Sequence, residues 1–132
     1  IDAITSNHTP HSVDEKSLEF NKCPPGIPGL ETLIPLMWTF VEYGVISIKE
    51  FVNLTSRRPA EILGLKGYGS ITPGSPASLT IINIGEEFTI NPAEFKSKAK
   101  YSPFKGLRLK GKPSLTIVKG NIVFSEDELN CI

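Results

Sequence analysis

The pattern of apolar positions is helical in the middle of the chain. Six apolar residues, spaced three or four positions apart, predict one helix: Leu30, Leu33, Ile34, Met37, Trp38 and Val41. Gly44 then offers the left-handed conformation that commonly follows a helix end. Pro35 lies inside the pattern, so we expect either a kink there or a later start of the helix.

Two shorter helices are expected next. Ser47 and Glu50 have the spacing of a capping box, in which each side chain bonds the backbone N–H of the other residue. A short helix should therefore follow Ser47. Pro59 suits the first position of another helix, and Gly64 suits the residue just past its end.

The pattern changes after Leu65 to short β-type stretches separated by glycines. Strands are predicted at residues 79–84, 87–90, 107–109 and 114–124. Gly120 and Asn121 interrupt the last stretch and accept the positive φ angles of a tight hairpin turn. Residues 1–65 and 66–132 are therefore expected to form two structural units.

The first residues carry a different signal. Residues 1–6 alternate in a way that predicts a short buried strand ending at a polar site. Residues 7–29 follow as a long loop, because prolines and glycines crowd its second half. Loops longer than about 12 to 15 residues inside a domain are usually functional or disordered, and we expect this one to carry the chemistry.

Composition narrows the class of protein. The chain has 132 residues, of which 39% are hydrophobic and 21% charged, which is normal for one modest globular domain. Fourteen basic residues balance fourteen acidic ones, so neither nucleic acid nor a membrane is an expected partner. No apolar run approaches the roughly 20 residues that cross a bilayer, and a cytoplasmic location is expected. Because the chain begins with Ile1 rather than methionine, we also expect it to be a fragment.

Histidines supply the first candidate chemistry. Asn7, His8 and His11 follow the predicted strand, and two histidines three residues apart can ligate a metal or bind an anion. Loop histidines also cap backbone groups, and the spacing alone leaves both interpretations open. Cys23 and Cys131 lie far apart, without the CxxC spacing of a zinc or redox motif.

A second candidate is the segment CPPGIPGLET at residues 23–32. Its prolines fix the backbone, and its glycines let another group approach closely. Such a segment can present main-chain groups to a small ligand. It can equally be a stiff connection into the helix that follows.

The two segments together resemble the dihydroorotase family. Residues 2–11 read DAITSNHTPH where that family typically reads DAIATDHAPH, and residues 23–32 match its APxGxxGLET. The likeness continues through RRPAEILGL at 57–65, GSITPGSPASLTIIN at 69–83 and SPFKG at 102–106, so it spans nearly the whole chain. Related hydantoinases and allantoinases usually carry other sequences at the GLET position.

The resemblance implies an α/β fold and a zinc-dependent enzyme. Residues 1–65 would be the last strand, substrate loop and helices of a (β/α)8 metallo-hydrolase barrel, and residues 66–132 part of a small flanking β-domain. The parent enzyme would reversibly cyclise N-carbamoyl-L-aspartate to L-dihydroorotate in pyrimidine biosynthesis. Its HxH pair, carboxylated lysine and further histidine ligands have no counterpart here. This C-terminal portion should therefore be inactive alone and bind no zinc by itself.

The resemblance also implies roles for single residues. Asn7 stands where the family has an aspartate that ligates zinc and carries a proton from the attacking hydroxide to the ring nitrogen. An amide offers only a weak metal ligand and cannot carry that proton. His11 matches the histidine that binds the substrate carboxylate, and Pro25 and Gly26 match the loop whose backbone contacts the dihydroorotate ring. His8 is expected to be structural.

Three further residues have expected roles beside these. Glu31 and Thr32 should anchor the start of the helix, because an acidic group is favourable near a helix N-terminus. Lys16 should be solvated or salt-bridged rather than a metal-bridging carbamate.

Two other functions stay open. A non-catalytic dihydroorotase-like scaffold that partners aspartate transcarbamoylase would explain Asn7, and a hydantoinase-like cyclic amidohydrolase is disfavoured by the GLET loop. The expected partners are the remainder of the barrel, a small-molecule substrate and a second copy of the chain.

Overall fold

The computed structural model describes residues 1–126, so Cys131 lies outside the described part. Helices fill the first half: α1 Val13–Lys16, α2 Leu30–Glu42, α3 Ile48–Val52 and α4 Arg58–Ile62, with a π-helical turn at Asn53–Arg57 and a later 3-10 turn at Pro92–Glu94. Strands fill the second half: β1 Leu79–Asn83, β2 Phe88–Thr89, β3 Arg108–Leu109, β4 Lys112–Val118 and β5 Asn121–Ser125. The expected mixture of helices and strands is confirmed. Among the described residues, no helix has the length and apolar character to span a membrane.

Helix α2 follows the predicted spacing from its first apolar residue. It starts at Leu30 and runs through Pro35, whose ring is fully buried. A proline inside a helix removes one backbone hydrogen bond. Of the two alternatives left open by the sequence, a later start is therefore excluded, and we attribute the tolerance of Pro35 to the packing of its buried ring, which offsets the lost bond.

Helix α3 is capped as predicted. The Ser47 hydroxyl accepts from the Glu50 N–H at 3.2 Å, and the Glu50 carboxylate accepts from the Ser47 N–H at 2.8 Å. Hydrogen bonds donated to the Glu50 carboxylate by the Ser47 backbone N–H, and then by the Ser47 hydroxyl, lower the pKa of Glu50. The helix then continues through the π-helical turn into α4, so the two separate helices expected from the sequence are one continuous helical segment.

The strand predicted at residues 1–6 is absent from the structure. The Ile4 N–H donates instead to the carbonyl oxygen of Leu54 in the π-helical turn, at 3.1 Å. A strand needs a neighbour that pairs with it over several residues, and none lies beside residues 1–6 in the described part of the chain. The alternating pattern correctly indicated that Ile4 packs on the core, but it could not supply a pairing partner.

The strands form two antiparallel sheets. The larger has the order β1-β4-β5, and β2 pairs with β3. The predicted hairpin between β4 and β5 is confirmed, with its turn one residue earlier than expected. Lys119 and Gly120 have φ angles of 49° and 85°, and Val118 pairs with Asn121. Two positive φ angles are what a type I′ hairpin turn requires.

The core lies where α2, α3 and the larger sheet meet. Met37, Trp38 and Phe51 form its buried centre, and the Trp38 and Phe51 rings meet edge to face with centroids 5.7 Å apart. Gly111, between β3 and β4, lies so close to α2 that an added Cβ would be 2.7 Å from the Cβ of Trp38. The start of β4 therefore packs directly against the helix that follows the predicted substrate loop.

Candidate functional site

His11 and Pro25, two of the predicted substrate-binding residues, are in direct contact. Nε2 of His11 lies 3.1 Å from the carbonyl oxygen of Pro25 and must donate, because a carbonyl only accepts. The backbone N–H of His11 donates to the hydroxyl of Tyr101 at 2.8 Å. Glu15 lies on the other side of the ring, with its carboxylate 3.8 Å from Nδ1. The ring is thus fixed between a carbonyl and a carboxylate, with 23% of the side chain exposed.

Gly26 packs against the segment that carries the histidines. Its φ angle is +136°, and an added Cβ would lie 2.4 Å from the carbonyl oxygen of Thr9. The Thr9 N–H donates to the carbonyl of Ile27 at 3.0 Å, so the two segments are also joined through their backbones. Only glycine fits this close approach, which explains the residue type that the sequence places there.

Lys16 holds the same loop from the other side. Its ammonium donates to the carbonyls of Pro24 at 3.0 Å and Gly26 at 3.3 Å, and it lies 5.8 Å from the ring centroid of Tyr101. The side chain is half-buried. The expectation that Lys16 is solvated or salt-bridged is therefore wrong, because backbone carbonyls replace the carboxylate or water that would otherwise surround its charge.

Asn7 lies on the exposed side of this arrangement. It has a φ angle of 44°, a left-handed conformation that asparagine and aspartate tolerate better than most residues. Its backbone carbonyl accepts from the Thr9 hydroxyl at 2.9 Å. Within residues 1–126 its side-chain amide has no hydrogen-bond partner, so the side chain predicted for chemistry is not engaged in a structural bond.

His8 caps helix α2. Its Nδ1 accepts from the N–H of Gly29 at 3.1 Å and from that of Leu30 at 3.4 Å, while Gly29, at the N-cap position, has no side chain to do so. Because both partners are donors, Nδ1 acts as the acceptor in this cap. The expected structural role of His8 is confirmed.

Glu31 and Thr32 secure the start of α2, as expected. The Glu31 carboxylate accepts from the backbone N–H groups of Lys96 and Ser97 at 2.8 and 3.0 Å. Thr32 is 1% exposed, and its hydroxyl donates to the Gly29 carbonyl at 3.4 Å. Glu31 thereby also ties the helix to a segment more than sixty residues away, a partner that local spacing could not reveal.

The site has one perturbed carboxylate. Hydrogen bonds from the Ser12 backbone N–H, and then from its hydroxyl, lower the pKa of Glu15, and the charge of His11 adds a smaller effect. These bonds form a capping box for α1 that the spacing of Ser12 and Glu15 could have predicted. Glu15 is therefore a carboxylate at neutral pH and faces the His11 ring.

The described residues, 1–126, do not by themselves form a site for a zinc ion. Among residues 1–126 no three histidine, cysteine, aspartate or glutamate side chains come together as a metal site. His8 uses Nδ1 to cap a helix, and His11 uses Nε2 to donate to Pro25. Both histidines instead line an open depression of about 540 Å³ that also includes Ser97 and Lys98.

The geometry of the site and a comparison with known protein families together give the class of protein. The amidohydrolase family model matches residues 16–123, and the chain belongs to the amidohydrolase family.

Among curated proteins, the chain is similar to enzymes named dihydroorotase. It is 39% identical over 127 residues to the one from Syntrophus aciditrophicus and 43% identical over 124 residues to the one from Geobacter sp. strain M21. These alignments cover 96% and 94% of this chain, but 30% and 29% of the relatives. The chain thus spans about a third of the length of these relatives, and its resemblance to dihydroorotases is confirmed.

Solved structures give the same fold family. The L-hydantoinase (dihydropyrimidinase) from Arthrobacter aurescens matches with a TM-score of 0.89 and 34% identity, over 97% of this chain and 30% of that one. The D-hydantoinase (dihydropyrimidinase) from Thermus sp. matches with a TM-score of 0.86 and 29% identity, over 95% of this chain and 28% of that one.

Proposed function

We propose that this chain is the C-terminal part of a dihydroorotase, which reversibly cyclises N-carbamoyl-L-aspartate to L-dihydroorotate in pyrimidine biosynthesis. In this proposal residues up to 65 supply the substrate loop and helices at the end of a (β/α)8 barrel, and residues from 66 onward supply part of a flanking β-domain. About 40% identity to dihydroorotases over nearly the whole chain supports the substrate class.

The contact between His11 and Pro25 is the observation that carries the proposal. It joins the two segments whose sequences resemble the dihydroorotase motifs, although fourteen residues separate them in the chain. A histidine N–H beside a rigid loop is suited to bind a carboxylate, and dihydroorotate carries one. To bind this carboxylate, the Nε2–H of His11 would turn from the Pro25 carbonyl to the substrate, with Pro25 beside the ligand and the backbone N–H of Gly26 as a second donor.

The loop also presents donors for the substrate ring. Pro24, Pro25 and Pro28 have no N–H, so Gly26 and Ile27 hold the main-chain donors between them. Within the described part of the chain neither N–H has an acceptor. Ring carbonyl and carboxylate oxygens of dihydroorotate are acceptors that fit such groups.

We include zinc in the proposed function only because the related enzymes are expected to use it. In the parent enzyme it would activate the attacking water, and residues outside this chain would hold it, because the described residues contain no set of ligands. The remainder of the barrel is therefore a required partner. A second copy of the chain and aspartate transcarbamoylase are further proposed partners.

Asn7 provides the test. Its amide cannot take up and deliver a proton, whereas an aspartate there could, and general acid–base help is commonly worth about 10² to 10⁴-fold in rate. In the full-length protein, Asn7→Asp should raise the rate of dihydroorotate ring opening by about that factor. Left-handed backbone geometry is open to both residues, so the substitution should leave the fold intact.

Asn21→Asp is the matched control, because Asn21 is also exposed and the substitution adds the same charge elsewhere. It should leave the rate unchanged. Full activity with Asn7, and no gain with aspartate, would refute the proton-carrier role. Absence of ring opening in both forms would instead favour the non-catalytic scaffold.

A hydantoinase-like activity is the remaining alternative. The matches to solved hydantoinases are compatible with it, whereas the identity to dihydroorotases gives the main proposal stronger support. The same full-length protein should be assayed with dihydroorotate and with hydantoin and dihydrouracil. If hydantoin and dihydrouracil, the two uncharged rings, are turned over faster than dihydroorotate, His11 does not bind a substrate carboxylate.

A further inference from the structure

Four consecutive carbonyls of the loop, those of residues 24–27, are each bonded to a donor from another segment. The Lys16 ammonium donates to the carbonyls of Pro24 and Gly26, and the His11 ring donates to the carbonyl of Pro25. The backbone N–H of Thr9 donates to the carbonyl of Ile27. All four of these carbonyl acceptors are therefore used by hydrogen bonds within the protein. The groups left for a ligand are the N–H donors described above.

Lys16 has a special place among these donors because it is the single side chain that bonds two of the carbonyls. The carbonyls lie two residues apart, with the Pro25 carbonyl between them held by His11. An ammonium has three donors, so one group can fix both peptide planes at once. These bonds involve a charged donor and are stronger than neutral ones.

Tyr101 supports Lys16 and His11 together. Its ring lies 5.8 Å from the Lys16 ammonium, and its hydroxyl accepts from the His11 N–H at 2.8 Å. Tyr101 comes from the second half of the sequence, next to the SPFKG segment. Lys16, which holds the loop, is therefore itself in contact with Tyr101, a residue eighty-five positions away in the chain.

We propose that Lys16 is a positioning residue of the substrate loop: its ammonium, which lies over Tyr101, holds the carbonyl of the Gly26–Ile27 peptide so that the N–H of Ile27 faces the ligand. The neighbouring N–H of Gly26 belongs to the peptide whose carbonyl, that of Pro25, is held by His11, and the bond from Lys16 to Pro24 fixes the peptide before it. Lys16 contacts the loop and acts on the substrate through it. The inference rests on the proposed function for the identity of the ligand, but the ordering of the loop does not depend on it.

Two measurements on the full-length protein with Asn7→Asp, the form expected to be active, test this inference. Hydrogen exchange of the peptide spanning residues 22–30 reports loop order, and steady-state kinetics with dihydroorotate separate KM from kcat. Lys16→Met should speed exchange in that peptide and raise KM roughly 10- to 100-fold, with little change in kcat, because loop contacts serve substrate and transition state alike. Lys16→Arg, which keeps a charged donor for both carbonyls, should recover much of both effects.

Lys22→Met is the matched control. Lys22 is in the same segment but 65% exposed, and it pairs with Glu19 at 3.0 Å on the surface. Removing its charge should change neither exchange nor KM.

Each other outcome has a definite meaning. Unchanged exchange in Lys16→Met would overturn the inference, and so would faster exchange with an unchanged KM, since the loop would then not bind substrate. A fall in kcat at constant KM would overturn it as well, because Lys16 would act on the reaction itself. If the parental form turns over no dihydroorotate, the proposed function fails, while the exchange comparison still decides whether Lys16 orders the loop.

Discussion

The loop of residues 7–29 and the sheet of β1, β4 and β5 are stabilised in different ways. In the sheet, backbone groups bond to backbone groups along antiparallel ladders, and most side chains could change without removing a single one of these bonds. In the loop, a lysine, a histidine ring and one backbone N–H hold the carbonyls. The order of the loop therefore depends on individual side chains.

This difference indicates where function can be lost without loss of the fold. Substitutions in the loop should affect ligand binding first, because they release groups that face the ligand. Substitutions in the hairpin should affect the free energy of unfolding and leave binding unchanged. Three predictions test this separation.

The largest effect is expected at Gly26. In the full-length protein, Gly26→Ala would place a Cβ 2.4 Å from the Thr9 carbonyl oxygen, so the loop must move. Displacement of about 1 Å can cost roughly 100-fold in catalytic efficiency, and we expect a loss of that order in kcat/KM for dihydroorotate.

Gly120→Ala is the control from the hairpin. Gly120 also has a positive φ angle, 85°, but no atom lies within 4 Å of an added Cβ. It should lower the free energy of unfolding by about 1–2 kcal/mol and leave kcat/KM unchanged. Equal losses of kcat/KM in the two variants would show that the loop and the hairpin are not separable.

A smaller difference is expected between the two histidines. His11→Ala should weaken dihydroorotate binding about tenfold, since it frees the Pro25 carbonyl and removes the proposed carboxylate donor. His8→Ala should cost about 1 kcal/mol of stability through the lost cap of α2 and change binding less. Calorimetric Kd values and thermal unfolding of both variants would check this, and equal effects on Kd would undo the assignment of His11.

The smallest effect is expected in the hairpin turn. Lys119 has a φ angle of 49°, which asparagine adopts more readily than lysine, and Asn-Gly is a favoured pair for such turns. Lys119→Asn should raise the free energy of unfolding by roughly 0.5–1 kcal/mol, measured by denaturant titration. A change in substrate Kd in this variant would contradict the separation between hairpin and loop.

The sequence predicted the elements that depend on local rules. The apolar spacing located α2, and the pair Ser47 and Glu50 located the start of α3. The same rule applied to Ser12 and Glu15 would have found α1, which was missed inside the long loop. Residues 1–6 were predicted wrongly because alternation indicates a buried face, whereas a strand also requires a partner.

The site was predictable only in part. The resemblance selected His11 and Pro25, and the structure brings them into contact. Tyr101 and the true surroundings of Lys16 were missed, because their contacts join residues far apart in the chain and leave no periodic signal. The partners of Glu31 at residues 96 and 97 were hidden for the same reason.

The π-helical turn at Asn53–Arg57 limits how the length of the chain can vary at this point. Such a turn bonds each residue to the fifth one on, so it contains one residue more than an α-helix needs. Deleting one residue there would restore regular helical bonding but rotate α4 by about 100° about its axis. Ala60 would turn out of its buried place beside Gly69, and the Leu54 carbonyl would move away from Ile4. The extra residue of the π-helical turn is thus needed for Leu54 and Ala60 to keep their contacts with Ile4 and Gly69 at the same time.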